Sequence, residues 1–185
     1  MRFLFSLMLI LFLFSCNKSQ TATTKTIEKP ASSVAKKHDD VITIDQKFES
    51  KIEAWAEYEN FTNFIKRYIT ISAEDAINNS RELNLLTKSL NDSIKPKFLE
   101  TPAFNARLNL LLNETLRLYD MSSIPSIKTS EVDTQVTKVL EAFSSVNSKI
   151  NTIIQQNELD AAVDDVDFNK ERYDTTEIVE KPKEP

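Results

Sequence analysis

The sequence predicts an all-α protein, and more specifically an antiparallel four-helix bundle. The chain contains no glycine, and this disfavours all-β and Rossmann-type folds, whose tight turns and phosphate loops depend on glycine. Between about residues 45 and 157, apolar residues recur every three or four positions in four successive stretches, as they do on the buried face of a helix. The connections between these stretches are short, which is typical of an up-and-down bundle.

The N-terminus has the pattern of a secretory signal. Residues 3–14 are apolar except for Ser6, and this run is too short to span a bilayer but long enough for the core of a signal peptide. It ends in Leu13-Phe14-Ser15-Cys16, which resembles the lipobox of bacterial lipoproteins. The resemblance implies that residues 1–15 are removed as a signal peptide and that Cys16 carries the lipid. Since Cys16 is the only cysteine, no disulfide can form within the chain, and lipid attachment gives this residue a use.

The lipobox resemblance also implies a location. Two or more acyl chains, palmitate among them, would hold the mature chain stably at a membrane. Asn17 stands where an aspartate would signal retention in the inner membrane of Gram-negative bacteria, so we expect the outer membrane. Residues 17–20 lack the acidic cluster that sends some lipoproteins to the cell surface. A periplasm-facing position is therefore expected, with the cell surface as the alternative.

Residues 16–40 are predicted to form a lipidated, flexible tether. They are rich in threonine, serine and lysine and show no apolar periodicity. A coil of this length would hold a domain roughly 25–30 Å from the bilayer on average. His38 is the only histidine in the chain and lies in this stretch, so it is predicted to be exposed to solvent.

The bundle domain is predicted over residues 41–158, with a first helix that begins near Asp45. Aromatic side chains recur at helical spacing along this helix. We interpret them as core residues. The alternative is that they form a face for a hydrophobic ligand or a partner helix. These residues are Trp55, Tyr58, Phe61, Phe64 and Tyr68.

Capping residues mark the second and third helices. Ser72 is predicted to be the N-cap of the second helix, with Asp75 in the capping-box position three residues later. Pro96 ends this helix, because proline disfavours helical geometry in the residue before it. Thr101-Pro102 predicts the start of the third helix, since proline costs nothing at the first helical position. This helix is expected to end near Ser122.

The fourth helix has the most regular pattern. Ser130 is predicted to be its N-cap, and the apolar positions that follow alternate steps of four and three residues, as in a heptad seam. The seam consists of Val132, Val136, Val139, Phe143, Val146, Ile150 and Ile153, followed by Asn157. Residues 159–185 lose this periodicity and become acidic, which predicts a disordered tail.

No recognisable catalytic or cofactor site accompanies the predicted bundle. There is no cysteine and histidine cluster for zinc and no Glu-x-x-His pair for a di-iron centre. The net charge of −5 with mixed signs gives no basic field for nucleic acid. We therefore expect no metal, no cofactor and no enzymatic activity. Asp92-Ser93-Ile94 and Asp174-Thr175-Thr176 resemble an O-glycosylation signal of some Gram-negative periplasmic proteins, which makes Ser93 and Thr175 candidate sites.

These observations predict a non-enzymatic, lipid-anchored bundle that acts as a binding or structural component of the bacterial cell envelope. Its expected partners are the membrane, through the lipid, and another envelope protein. Two alternatives remain open: a surface-exposed adhesin or ligand-binding lipoprotein, and a carrier of a small apolar ligand. The oligomeric state is also open, because the heptad seam could pair within the chain or with a second copy.

Overall fold

The computed structural model describes residues 30–164, and most of these residues are helical, which confirms the all-α class. Within this range there are four α-helices, which we number in chain order. They are α1 (Ala56–Ile65), α2 (Ala73–Asp92), α3 (Pro102–Met121) and α4 (Thr129–Asp164). The predicted signal peptide and Cys16 lie outside the described residues. No helix within residues 30–164 is long and apolar enough to cross a membrane.

Short elements complete the fold. Two strands, β1 (Lys36–Lys37) and β2 (Thr70–Ile71), pair antiparallel, with Lys36 opposite Ile71 and Lys37 opposite Thr70. Single 3₁₀ turns are formed by Ala31–Ser33, Gln46–Lys51, Lys66–Ile69 and Lys97–Leu99. The helix α2 packs against α1, α3 and α4, and α3 also packs against α4. One continuous hydrophobic core lies between these elements.

The prediction of one continuous first helix from Asp45 was wrong. The stretch is divided into a 3₁₀ turn (Gln46–Lys51), the ten-residue α1 and a second 3₁₀ turn (Lys66–Ile69). The backbone leaves the helical region at Trp55, whose ψ is 82°. The Trp55 indole N–H donates to Ser93 Oγ at 2.7 Å, so packing against the end of α2 overrides the local helical pattern.

The predicted starts of α2 and α3 are confirmed. Ser72 Oγ accepts a hydrogen bond from the backbone N–H of Asp75 at 3.1 Å and donates to its carboxylate at 2.6 Å. Thr101 Oγ1 accepts from the N–H of Phe104 at 3.2 Å. The end of α3 at Met121 lies one residue before the predicted position. Both caps use residues within three positions of each other, which is why the sequence alone could identify them.

Both ends of α4 differ from the prediction. The helix begins at Thr129, and Glu131 Oε2 accepts from the backbone N–H of Lys128 at 3.2 Å, so Ser130 is not its N-cap. At the other end α4 continues to Asp164, so residues 159–164 are helical where a disordered tail was predicted. Residues 155–163 are exposed on all sides. The helix therefore extends beyond the core, and the rest of the predicted tail lies outside the described residues.

The heptad seam of α4 forms one side of the core. Its seven apolar members, from Val132 to Ile153, are all buried, whereas Asn157 is exposed. The buried part of the seam therefore ends at Ile153, whereas the spacing predicted that it would continue to Asn157. Phe143 lies at the middle of the seam, with its ring centroid 5.0 Å from that of Phe61 in an edge-on arrangement.

Candidate functional site

Residues before position 41 also contact the helical domain. Residues 38–45, which we call the strap, form no helix or strand and lie along α4, to which they are bonded from Thr137 to Asn151. The strap follows directly on β1, and the backbone N–H of His38 donates to the carbonyl of Ile69 at 2.8 Å. The predicted tether was therefore too long at its C-terminal end, because Lys36, Lys37 and His38 are bonded to the folded domain.

Polar side chains of α4 hold the backbone of the strap. Ser144 Oγ accepts from the N–H of Ile42 at 3.1 Å, and Asn147 Nδ2 donates to the carbonyl of Ile42 at 2.7 Å. The amide of Asn151 makes two bonds, accepting from the N–H of Asp45 and donating to the carbonyl of Thr43, both at 3.0 Å. All these bonds go to main-chain atoms of the strap, so they do not depend on which side chains the strap carries.

The strap and α4 run in the same direction with matched lengths. From His38 to Asp45 the extended chain advances by roughly 23 Å, at about 3.3 Å per residue. From Thr137 to Asn151 the helix advances by roughly 21 Å, at about 1.5 Å per residue. One strap residue therefore corresponds to about two helix residues, which lets Thr137, Ser144 and Asn151 meet the strap at successive points.

A cavity of about 690 Å³ lies between the strap, the Gln46–Lys51 turn and α1; we call it the strap cavity. Its deeper walls are aliphatic or aromatic, and polar side chains stand around its mouth. The wall is formed by Val41, Ile44, Ile52, Tyr58, Ile65, Ile69 and Phe143, and the mouth by Glu49, Glu53, Glu59, Asn63 and Lys66. Such a lining suits a ligand whose surface is mainly apolar.

Two hydrogen-bonding groups stand at the inner end of this cavity. The Tyr58 hydroxyl donates to Asn147 Oδ1 at 2.9 Å, and Asn147 is only 2% exposed. Burial raises the pKa of Tyr58 to about 12, so the phenol stays protonated at neutral pH. Asn147 thus joins the strap, α1 and α4, since its other amide atom binds Ile42.

A second groove of about 490 Å³ lies on the other side of the strap, and most of the residues that line it are polar or charged. Both signs of charge are present, from Asp39, Asp40 and Glu141 on one hand and from Arg107 and Lys149 on the other. Within residues 30–164, no three histidine, cysteine, aspartate or glutamate side chains converge on a point where they could hold a metal ion.

The prediction that His38 is exposed was wrong. Its side chain is 6% exposed, and Nδ1 lies 3.1 Å from Thr137 Oγ1 on α4. Composition indicated an exposed residue because the neighbouring residues are polar. However, the backbone pairing with Ile69 turns this ring inward, and that pairing joins positions 31 residues apart.

The five aromatic residues that the sequence singled out are all buried. Trp55 and Tyr58 stack with centroids 5.4 Å apart, and Phe64 lies 6.2 Å from Tyr68. Of the five, only Tyr58 lines the strap cavity. The structure therefore places Trp55, Phe61, Phe64 and Tyr68 in the core and gives Tyr58 a position at the cavity as well.

Of the two candidate glycosylation residues, Ser93 lies among the described residues and is hydrogen-bonded at the end of α2. Ser93 Oγ accepts from the Trp55 indole at 2.7 Å and donates to the carbonyl of Leu90 at 2.9 Å. A glycan at this oxygen would remove the bond to Leu90 at the end of α2. Thr175 lies outside the described residues.

Sequence analysis missed the residues that bind the strap. Ser144, Asn147 and Asn151 each directly follow an apolar residue of the heptad seam, and Thr137 has the same position one heptad before Ser144. A row of hydrogen-bonding side chains beside a seam is a signal that the sequence carries. It does not, however, identify the segment that is bound.

Comparisons with protein-family models, with curated protein sequences and with solved structures find no match for this chain.

Proposed function

We propose that this chain is a lipid-anchored, non-enzymatic binding protein of the bacterial cell envelope, and that its ligand is a small, largely apolar molecule in the strap cavity. The proposed anchor is acylated Cys16 in the outer membrane, with the helical domain on the periplasmic side. We also propose that α1–α4 form an antiparallel four-helix bundle. Connections of seven to nine residues between successive helices and hydrogen bonds between neighbouring helices, such as Gln135 to Glu114, support this arrangement.

The observation that carries the proposal is the strap cavity itself. Its volume of about 690 Å³ lies within the roughly 300–1,000 Å³ usual for small-molecule sites. Its inner wall combines the buried side chains Ile44, Ile52 and Ile65 with two aromatic rings, Tyr58 and Phe143. An apolar molecule of fitting shape would gain about 25 cal/mol for each Å² of apolar surface that it removes from water.

The chemistry of the cavity supports binding rather than catalysis. The phenol of Tyr58 is held protonated by burial, which raises its pKa to about 12, and its proton is donated to Asn147. A group committed in this way can orient a ligand but is poorly suited to proton transfer at neutral pH. The carboxylates at the mouth, Glu49, Glu53 and Glu59, are exposed to solvent.

The proposal is tested with N-phenyl-1-naphthylamine, an uncharged apolar probe whose fluorescence rises in apolar surroundings. We expect the purified chain to bind it and Val41→Trp to weaken binding at least tenfold, because the indole would occupy the part of the cavity next to the strap. Val34→Trp is the matched control, since Val34 is exposed and does not line the cavity. Absence of binding by the unmodified chain, or equal binding by both variants, would reject the proposed function.

The location is tested separately. We expect the mass of the N-terminal peptide from membranes to equal that of acylated Cys16, with residues 1–15 absent. Protease added to intact cells should leave the helical domain uncut. Cleavage there would indicate the surface-exposed adhesin or ligand-binding lipoprotein instead.

A further inference from the structure

His38 stands at the point where the strap begins. Its backbone is bonded to Ile69, and its ring reaches Thr137 on α4. The strap then continues to Val41 and Ile44, which form one wall of the strap cavity. The only histidine of the chain therefore lies at the contact that holds this wall to the helices.

The hydrogen bonds around His38 support an assignment of the ring proton. Thr137 Oγ1 lies 3.1 Å from the carbonyl of Asp133 and 3.1 Å from Nδ1 of His38. We assign its single proton to the carbonyl, so that it accepts a hydrogen bond from the ring. Nδ1 of His38, 3.1 Å away, is then the protonated nitrogen of the neutral ring. Nε2 is the unprotonated one, and it is buried with no hydrogen-bond partner among residues 30–164.

This arrangement favours the neutral ring over the charged one. A second proton would have to go to Nε2, where it would find no acceptor, and it would add a positive charge to a buried site. Burial is the largest effect and lowers the pKa of His38, and the Lys36 ammonium lowers it further, whereas Asp133 and Asp39 act in the opposite direction. Lys36 Nζ lies 3.5 Å from the Asp133 carboxylate, which reduces the stabilisation that this carboxylate can offer the ring.

We propose that His38 is an acid-sensitive latch: when its ring takes up a second proton, the strap separates from α4 and the strap cavity loses one wall. The released strap exposes the imidazolium to water, where it is fully solvated. The bonds that Ser144, Asn147 and Asn151 make to the strap are lost in the same step, because they share one continuous segment of extended chain. Acid thus shifts the strap towards a released state in which the cavity lacks this wall.

The direction of the pH dependence follows from the two states. In the released strap His38 titrates with its ordinary pKa of 6.5, and in the docked strap its pKa is lower. Docking is therefore at full strength above pH 6.5 and weakens as the pH falls below that value, until the docked ring also takes up a proton. Because one proton is involved, the docking equilibrium can change by at most tenfold per pH unit.

The strap itself is tested by hydrogen exchange of the full mature chain, measured by NMR and corrected for the intrinsic exchange rate. The amides of Ile42 and Asp45 report on docking, since both donate to side chains of α4. We expect their protection to fall up to tenfold per unit between pH 6.5 and 5 and to stay below that of the buried amide of Leu111, which exchanges only when the whole domain unfolds. In His38→Gln the protection should not depend on pH. Constant protection in the unmodified chain, or an equal fall in His38→Gln, would overturn the latch.

A measurement on the unmodified chain covers the case in which His38→Gln fails to fold. The ¹⁵N shifts of the His38 ring give both the tautomer and the titration midpoint. We expect the Nδ1–H tautomer and a midpoint below 6.5. The Nε2–H tautomer, or a midpoint at or above 6.5, would overturn the proposal.

The consequence for the ligand rests on the proposed function and is tested with the same fluorescent probe. We expect the chain to bind N-phenyl-1-naphthylamine more weakly at pH 5 than at pH 7, and His38→Gln to bind it equally at both. If the probe never binds but the strap amides lose protection in acid, the latch stands and the proposed function fails. If the probe binds equally at both pH values and the strap stays protected, the proposed function stands and the latch fails.

Discussion

The two asparagines that hold the strap are expected to contribute unequally to stability. Asn151 and Asn147 each bind the backbone of the strap, but only Asn147 also accepts from a buried group, the Tyr58 hydroxyl. When Asn151 is replaced by alanine, the freed N–H of Asp45 and carbonyl of Thr43 can turn to water, because both residues are exposed. When Asn147 is replaced, the buried phenol of Tyr58 loses the acceptor to which it donates.

The magnitudes follow from this difference. Asn151→Ala removes two exposed hydrogen bonds, each with a net contribution near the lower end of about 0.5–1.5 kcal/mol because water replaces them, so the loss should be about 1 kcal/mol. A buried polar group left without a partner costs about 1–3 kcal/mol, in addition to the lost bond to Ile42. We therefore expect Asn147→Ala to lower the free energy of unfolding by about 2–4 kcal/mol, clearly more than Asn151→Ala.

Urea unfolding followed by circular dichroism measures both values. Alanine raises helix propensity at either position, so Asn113→Ala, at an exposed position within α3, serves as the control for that gain of about 0.5 kcal/mol. Equal losses in the two variants, or a larger loss in Asn151→Ala, would refute the assignment of Asn147 as the residue that joins the strap to the core.

Three further predictions concern the core and its polar groups. Phe143→Asp places an unpaired carboxylate at the centre of the seam, where Phe143 is 2% exposed, and should abolish cooperative folding; a helical thermal transition at an unchanged temperature would contradict this. Thr62→Val should stabilise the domain by about 1 kcal/mol, because Thr62 Oγ1 is buried and makes no well-aligned hydrogen bond among the described residues, although the Tyr58 hydroxyl lies beside it. A loss in urea unfolding would show that the two hydroxyls are bonded. Burial raises the pKa of Tyr58 from 10.0 to about 12, so stability should be constant up to about pH 10 and fall above it as unfolded tyrosine ionises; Tyr58→Phe should reduce that fall, and an unchanged dependence would argue against the buried phenol.

The parts of the fold that the sequence predicted well depend on neighbouring residues. The caps at Ser72 and Thr101 bind N–H groups three residues later, and the seam of α4 is a repeat within a single helix. The predicted first helix failed for the opposite reason. Its apolar spacing was helical throughout, but the break at Trp55 depends on Ser93, which lies 38 positions away. A regular pattern therefore identified the buried residues of this stretch correctly, although not their backbone geometry.

The strap is the clearest case of a structure that composition conceals. A helix or strand that packs through its side chains shows apolar periodicity, because the buried face must be apolar. The strap packs through His38, Val41 and Ile44, but much of its attachment is made by its backbone, whose partners on α4 are side chains 102–108 positions away. Its own side chains at Asp39, Asp40 and Thr43 remain exposed, so its composition is that of a linker. A polar segment before a helical domain can thus be part of the fold when a helix presents hydrogen-bonding side chains at heptad spacing. The apolar residues Val41 and Ile44 place the later part of the strap in the predicted domain, but the row Thr137, Ser144 and Asn151 that binds its backbone lies at the opposite end of the sequence of that domain.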